Sequence, residues 1–456
     1  MYEQLKAELT GRLILPGEDG YDDRRKIWNT AFDKLPAAIV VCKADTDAVA
    51  AVKFAKANDI PVTIRGGGHN VAGTSICDGA IMIDFSEMRK VTVDLERNTA
   101  IAEPGVTLGD YDTETQKYGM VTPTGTVTET GIAGLALSGG TGYLRGKFGL
   151  TSDNIVSARL ITADGDHIKV SAQEHPDLYW AIRGGGGNFG IVTSFEFQLY
   201  PLGPEVLSVD VMYDYKDAKQ VLRNAQAFLR NAPDDVSFNM MTFQMAAAPG
   251  IPEPLHNKRV IVIAGLYAGE SDKDEGYQAI QPLRELAEPL SDNTGIVRFT
   301  ELQSRFDLAA PNNVAVAGTS LFIKEMNDET IDALLATIEQ LPSPSLLVQF
   351  WECHGKMNRI PSAATAFAVR DASFLLCFDV DYPMEEEQKI KAWIESAYEA
   401  MLPFSVRKTS YLNAVKADRQ ITKATYGDNY ERLAAIKLKY DPTNFFRHNH
   451  NIEPQA

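Results

Sequence analysis

The run Pro61-Val62-Thr63-Ile64-Arg65-Gly66-Gly67-Gly68-His69-Asn70-Val71-Ala72-Gly73 restricts the possible folds more than any other stretch of this chain. A strand-like segment, Val62 to Ile64, empties into three glycines, a histidine and a second small-residue turn. Without Cβ atoms, such a backbone can take positive φ and bring its N–H groups close to a ligand. Successive N–H groups in a turn of this kind form a concave nest for an anion, and a pyrophosphate suits it. A histidine set into the nest is placed to touch what the nest holds. The plainer alternative is a tight turn with an incidental surface histidine, and the rest of the chain weighs against it.

Two further glycine-dense regions follow. The first holds Gly125-Thr126-Val127, then Gly131, Gly134, Gly139, Gly140 and Gly142; the second is Arg183-Gly184-Gly185-Gly186-Gly187-Asn188-Phe189-Gly190. Such density suits neither a helix nor a strand core, but it suits main chain lying against a flat, extended ligand. Around these runs the pattern predicts a strand over 37–42 and a helix capped by Asp45 or Thr46, with Ala48, Val49, Val52 and Ala55 on one face. With the strand at 62–64 this makes a β-α-β opening of about 30 residues. Short strands are expected over 80–84, 91–94, 99–102 and 156–162, a helix over 109–118, and a hairpin at Asp164-Gly165. Residues 185–190 match G-x-G-x-x-G, but they follow a predicted helix and precede a strand carrying Ile191, Thr193, Phe195, Phe197 and Leu199 on one face. A dinucleotide fingerprint needs the reverse order, so that reading fails. Residues 142–148 lack the spacing and the Ser/Thr of a P-loop, and Ser138 lacks the glycine of a nucleophile elbow.

At 456 residues the chain is long enough for roughly three units of ~150. Its formal charge of −17 repels phosphate backbones and anionic lipid, which argues against nucleic-acid or membrane-surface partners. Cys42, Cys77, Cys353 and Cys377 are scattered, without metal or redox spacing, and read as buried free thiols in a reducing compartment. No secretory leader and no long apolar run is seen, so a cytoplasmic protein, monomer or homodimer, is expected.

Past Pro201–Pro204 the texture changes. Strands are predicted over 206–213, 259–266, 314–322, 346–354 and 374–380, with an apolar helical stripe of Val221, Leu222, Ala225, Phe228 and Leu229 and helices over 272–288, 328–341 and 385–401. This is the pattern of an α+β layer, a sheet with helices on one side. The last residues return to motif-like sequence: a strand over 410–415 with Tyr411 and Asn413 on one face, a helix from 426 to 440, and the tail Asn449-His450-Asn451-Ile452.

Taken together, Arg65 to Asn70, Arg183 to Gly190, and Tyr440-Asp441-Pro442 through Ile452 resemble the FAD-linked oxidoreductases of the vanillyl-alcohol oxidase superfamily, with a PCMH-type FAD-binding domain, in the berberine-bridge-enzyme-like branch. The resemblance runs from about 37 to 454. It implies an FAD-binding domain of two α/β subdomains over 37–202 and an α+β substrate domain over 203–405 with an antiparallel sheet. A segment over 406–456 would complete the FAD side, and residues 1–36 would pack on it as a lead. The cofactor contacts it implies are Arg65, Gly66, Gly67, Gly68, Asn70 and Gly73; Gly125, Thr126, Val127, Gly131, Gly134, Gly139, Gly140 and Gly142; Asn154; Gly190, Ile191 and Val192; and Asn449 and Asn451. The histidine matching His69 would be bonded covalently to the flavin. Many members carry a second link through a cysteine where this chain has Val127, so a single attachment is expected. His450 stands where glutamine is usual in the family.

The implied reaction is hydride transfer from a small alcohol, sugar hemiacetal or phenolic secondary metabolite to the flavin, with O2 as electron acceptor. A dehydrogenase with another acceptor, or a flavoprotein whose FAD is structural, are the alternatives. Tyr411, with Asn413, is the expected base; Arg407 and Lys408 are candidates for the positive charge a tyrosinate needs. Glu352 is the second candidate base. Tyr411 also reads as a buried tyrosine that merely bonds Asn413. Gln349 and Trp351 share one face of their strand, Glu352 and His354 the other, and Gln349, Trp351 and Arg370 are candidate substrate contacts. Each of those three reads equally as core or surface. His448 and His450 lack a carboxylate or cysteine partner, so no metal is expected.

Overall fold

The computed structural model describes residues 2–455 other than 271–273, 341 and 342. Near the N-terminus a four-stranded sheet runs Arg12–Ile14, Ala38–Val41, Ile81–Asp84, Val62–Arg65 in spatial order. Ala38–Val41 and Val62–Arg65 both pair in parallel with Ile81–Asp84. The crossover helix Asp45–Ala57 buries Ala48, Ala51, Val52 and Ala55 against them. Neither Asp45 nor Thr46 caps it. Asp47, inside the first turn, reaches back to accept the N–H groups of Lys43 at 2.8 Å and Ala44 at 3.1 Å.

The second sheet is antiparallel, in the order Val91–Asp94, Thr99–Ala102, Ile191–Gln198, Ile155–Ile161, His167–Ser171. The turn at Asp164-Gly165 joins its last two strands as the sequence predicts, with Gly165 at φ +80°. The third glycine run leaves the helix Pro176–Ile182 and enters the strand Ile191–Gln198, the order that rules out a dinucleotide fingerprint.

The third sheet has eight antiparallel strands. Seven lie in the order Pro289–Asp292, Glu205–Asp214, Arg259–Tyr267, Val236–Gln244, Leu346–Glu352, Phe374–Tyr382, Ala315–Ile323, and Gly295–Arg298 also pairs with Glu205–Asp214. One face is covered by the helices Ala218–Leu229, Asp274–Arg284, Asp328–Glu339 and Glu387–Met401. The expected helix ends at Asp272 and Leu341 lie outside the described residues. Strand parity divides this sheet: Leu346, Val348, Phe350, Phe374, Leu376, Phe378 and Val380 point into the helical core. Gln349, Trp351, Leu375, Cys377, Asp379 and Asp381 point to the opposite face, toward the glycine runs.

The expected strand over 410–415 is absent; Leu412–Ala414 is a single 3-10 turn. The tail is held by the third glycine run. Asn188 receives the Ile452 N–H at 2.9 Å and donates to the His450 carbonyl at 3.1 Å. The buried Lys437 donates to the Asn188 carbonyl at 2.7 Å and to Asp441 at 2.6 Å. A chain end with no sheet of its own is thereby fixed against the N-terminal half.

Candidate active site

A cavity of about 370 Å³ lies between the glycine runs and the open face of the third sheet. Gly66, Gly67, Gly68, His69 and Asn70 line one side, with Gly125, Thr126, Val127, Gly131 and Gly134 beside them. Gly190, Ile191, Val192 and Asn449 continue that wall. Gln349, Trp351, Tyr411 and Asn413 line the facing side.

Packing explains the glycines. A Cβ on Gly67 would stand 2.4 Å from the Gly131 nitrogen, and one on Gly131 would stand 2.3 Å from the Gly67 nitrogen, so the two runs meet backbone to backbone. At Gly134 and Gly187 a Cβ would meet nothing within 4 Å and would project into free space beside the cavity they line.

Several expected contacts lie elsewhere. The Arg65 guanidinium is turned away, bonded to Asp84 and to the carbonyls of Arg24 and Lys26; it braces the strand before the nest. Gly73 packs on the Phe32 ring, Gly139 on Phe367 and Gly142 on the Thr124 carbonyl. Gly140 stands behind Tyr411. Asn154 donates to the carbonyls of Phe148 and Leu150 at 3.0 and 2.7 Å, and its Oδ1 accepts from Tyr200 at 2.8 Å. Asn451 is not among the lining residues.

Glu352 has the wrong parity for the cavity. It accepts from the Phe238 N–H at 3.1 Å and pairs with the buried Arg145 at 3.1 Å and with His354 at 2.8 Å. Arg370 is committed to both oxygens of Asp153, at 2.9 and 2.7 Å. Arg407 pairs with the exposed Asp371, and Lys408 is exposed, so neither supplies charge to Tyr411.

Tyr411 is held by two donors. Its phenolic oxygen accepts the Gly140 N–H at 3.1 Å and the Asn413 amide at 3.1 Å. The 3-10 turn folds Asn413 back onto the phenol, doing what a strand face was expected to do. Burial still dominates and pushes the phenol up to about 12, against those donors. On the sheet wall Asp379, to which Gln349 donates at 3.0 Å, is pushed up to about 6 by burial, with Asp381 adding to the effect. Burial likewise raises Asp381 to about 6. His69 and His450 are pushed down to about 4 by burial, so both imidazoles are neutral near pH 7.

Sequence reasoning did not single out Asp379 or Asp381, read Cys377 only as a buried thiol and passed over Trp28, all on the cavity wall. The first three alternate along one strand, and that period-2 row of polar groups was the available signal. Trp28 carried none, because its contact with His69 is long-range.

The donor set fits a flavin dinucleotide. Ser75 Oγ, His69 Nε2, His448 Nε2 and Asn449 Oδ1 line or border the cavity, are buried and have no partner within the protein. Buried polar atoms of native proteins are seldom left so. A flat ring with amide edges, a hydroxylated chain and a pyrophosphate offers them partners, and the glycine backbone leaves room for it. Among the described residues no cluster suits a metal ion, and no helix is long and apolar enough to cross a membrane.

Comparison with known proteins agrees. The family model for an FAD binding domain matches residues 36–171, and the one for berberine and berberine-like proteins matches 410–453. The uncharacterized FAD-linked oxidoreductase YgaK of Bacillus subtilis is 31% identical, covering 98% of each chain. The solved structure of 6-hydroxy-D-nicotine oxidase from Arthrobacter nicotinovorans superposes with a TM-score of 0.86 at 27% identity, covering 98% of each chain. That of a carbohydrate oxidase from Microdochium nivale does so at 0.85 and 25%, covering 99% of each. With its glycine-walled cavity, its three larger sheets and these relatives, the chain belongs to the FAD-linked oxidoreductases of the berberine-bridge-enzyme-like family and is an FAD-dependent enzyme.

Proposed function

We propose that this enzyme is an oxidase that takes a hydride from a small organic substrate, an alcohol, sugar hemiacetal or phenolic metabolite, and passes the electrons to O2. FAD, when bound, supplies the two-electron acceptor. His69 is its single covalent anchor, since Val127 cannot form a thioether. The glycine runs at 66–68, 125–134 and 186–190 hold the dinucleotide from the backbone, with Asn70, Asn449 and Thr126 beside them.

The observation that carries this reading is the pair of donors on the Tyr411 oxygen. Tyr411 is the group that accepts the proton of the substrate hydroxyl as the C–H bond breaks. With a phenol raised to about 12, the tyrosinate is the minor form at pH 7. That form takes the substrate proton and returns to the neutral phenol, the Gly140 and Asn413 donors stabilise its negative oxygen beforehand, and turnover rises with pH. Gln349 and Trp351 orient the substrate on the sheet wall. Four unpaired cysteines fit a reducing compartment such as the cytoplasm.

Asp379 favours a second reading of the base, because it is a carboxylate of the cavity wall that titrates near 6. The test is the pH profile of kcat/KM in the wild type and in Tyr411→Phe. Loss of turnover in Tyr411→Phe at every pH, with FAD retained, supports Tyr411; a Tyr411→Phe enzyme that keeps its rate and shows a limb near pH 6 assigns the base to Asp379. Anaerobic bleaching of the flavin by substrate, followed by recolouring in air, separates an oxidase from a dehydrogenase or an inert flavoprotein.

A further inference from the structure

The N-terminal lead reaches the histidine turn. The Trp28 indole stacks on the His69 imidazole, ring centres 4.5 Å apart and planes 18° from parallel. Its backbone N–H donates at 3.1 Å to the carbonyl of Gly68, which precedes the histidine at φ +69°. Its indole N–H reaches the Ala310 carbonyl at 3.4 Å. Asn29, fully buried, donates to the carbonyls of Val71 and Val316 at 2.9 Å each, and its Oδ1 accepts the Val316 N–H at 3.0 Å. Two adjacent lead residues thus tie the histidine turn to the strand Ala315–Ile323. His69 Nε2 is buried with no partner in the protein, and burial keeps the ring neutral.

A neutral imidazole is a competent nucleophile only if held at the right angle to the carbon it attacks. We propose that Trp28 is a positioning residue for covalent flavin attachment, its indole fixing the His69 ring in the orientation that bonds the flavin 8α-carbon. The inference rests on the single histidyl link proposed above. In the net reaction an N–C bond forms while one methyl C–H and the imidazole N–H break. The two protons and two electrons released go to dioxygen, giving hydrogen peroxide. The stack gives the ring that follows Gly68 an aromatic face against which to set its plane.

The test uses the full chain prepared without flavin and incubated with FAD in air. Samples are denatured at intervals, and the flavin fluorescence that stays with the chain is measured beside the FAD bound before denaturation. Trp28→Leu, which removes the ring face, is expected to slow attachment by about tenfold or more at FAD concentrations that saturate reversible binding. Trp28→Phe, which keeps a ring face, is expected to return attachment to within about threefold of wild type. Attachment at the wild-type rate in Trp28→Leu overturns the proposal. So does a parallel fall in reversible binding and attachment in both variants, which marks a merely structural role. Wild-type protein that releases all its flavin on denaturation overturns the histidyl link itself, and the role of Trp28 with it.

Discussion

The two walls of the cavity are made of different material. On the N-terminal side much of the surface is main chain: Gly67 packed on Gly131, Gly66 on the Pro104 carbonyl, and Gly134 and Gly187 open to the space between. On the sheet side it is side chain: Gln349, Trp351, Cys377, Asp379 and Asp381, each the alternate residue of a strand whose other face enters a helical core. Backbone recognition suits an invariant partner such as a cofactor, because N–H and carbonyl groups stay put when side chains change. Side-chain recognition suits a partner that differs from one relative to the next. Under the proposed function the contrast divides the labour: one wall would hold FAD and the other would select the substrate.

If that division is right, damage to the first wall removes the flavin. Gly67→Ala puts a methyl group 2.4 Å from the Gly131 nitrogen, with backbone on both sides and no flexible side chain to yield. Purified Gly67→Ala is expected to carry less than about a tenth of the wild-type flavin, an overpacking cost of about 1–3 kcal/mol falling directly on the binding surface. Visible absorbance per chain measures it. A variant as yellow as wild type would mean that the two glycine runs do not set the cofactor wall.

Tyr411→Phe stands next. It removes the phenol oxygen and keeps the ring, so turnover is expected to fall about 10²–10⁴-fold with flavin content unchanged. Steady-state kinetics with absorbance on the same sample checks both halves.

Much of the first wall was legible in the sequence, and little of the second. Gly66-Gly67-Gly68-His69 announces a backbone nest because few other structures tolerate three successive glycines, and the order helix, glycines, strand at 176–198 excludes a dinucleotide fingerprint before any coordinates are seen. The sheet wall hides because alternation reveals that a strand has two faces but not which one meets a cavity. Glu352 as a candidate base and Gln349 as a candidate substrate contact both stay open until the helices Asp328–Glu339 and Glu387–Met401 assign the even-numbered face of Leu346–Glu352 to the core. The strand Val236–Gln244 escaped as well: Asn239 and Thr242 interrupt its apolar pattern, and both are buried on a central strand. Arg65 misled for the same reason, since a motif shows that a position is special but not which way its side chain turns.

Substitution on the second wall sharpens the comparison further. Gln349→Leu leaves Asp379 without its amide partner and is expected to lower kcat/KM about tenfold, without loss of flavin. A drop in flavin content would blur the boundary between the walls.

The smallest effect is on stability. Burial raises Asp379 and Asp381 to about 6, above the value of about 4 of a free carboxyl. Such a group favours the folded state below pH 4, and that advantage is lost as pH rises from about 4 through 6. Asp379→Asn is therefore expected to raise Tm by about 2 °C at pH 8 and to leave it unchanged at pH 4. The opposite sign would mean that Asp379 is ionised and paired in the folded protein.

The most direct test is the visible absorption spectrum of the purified, unmodified chain, before and after incubation with FAD. A flavin band in native protein that remains with the polypeptide after denaturation is what the proposed His69 link predicts. Colourless protein that takes up no FAD would contradict the assignment of the glycine wall, and with it the reading of the cavity as a flavin site.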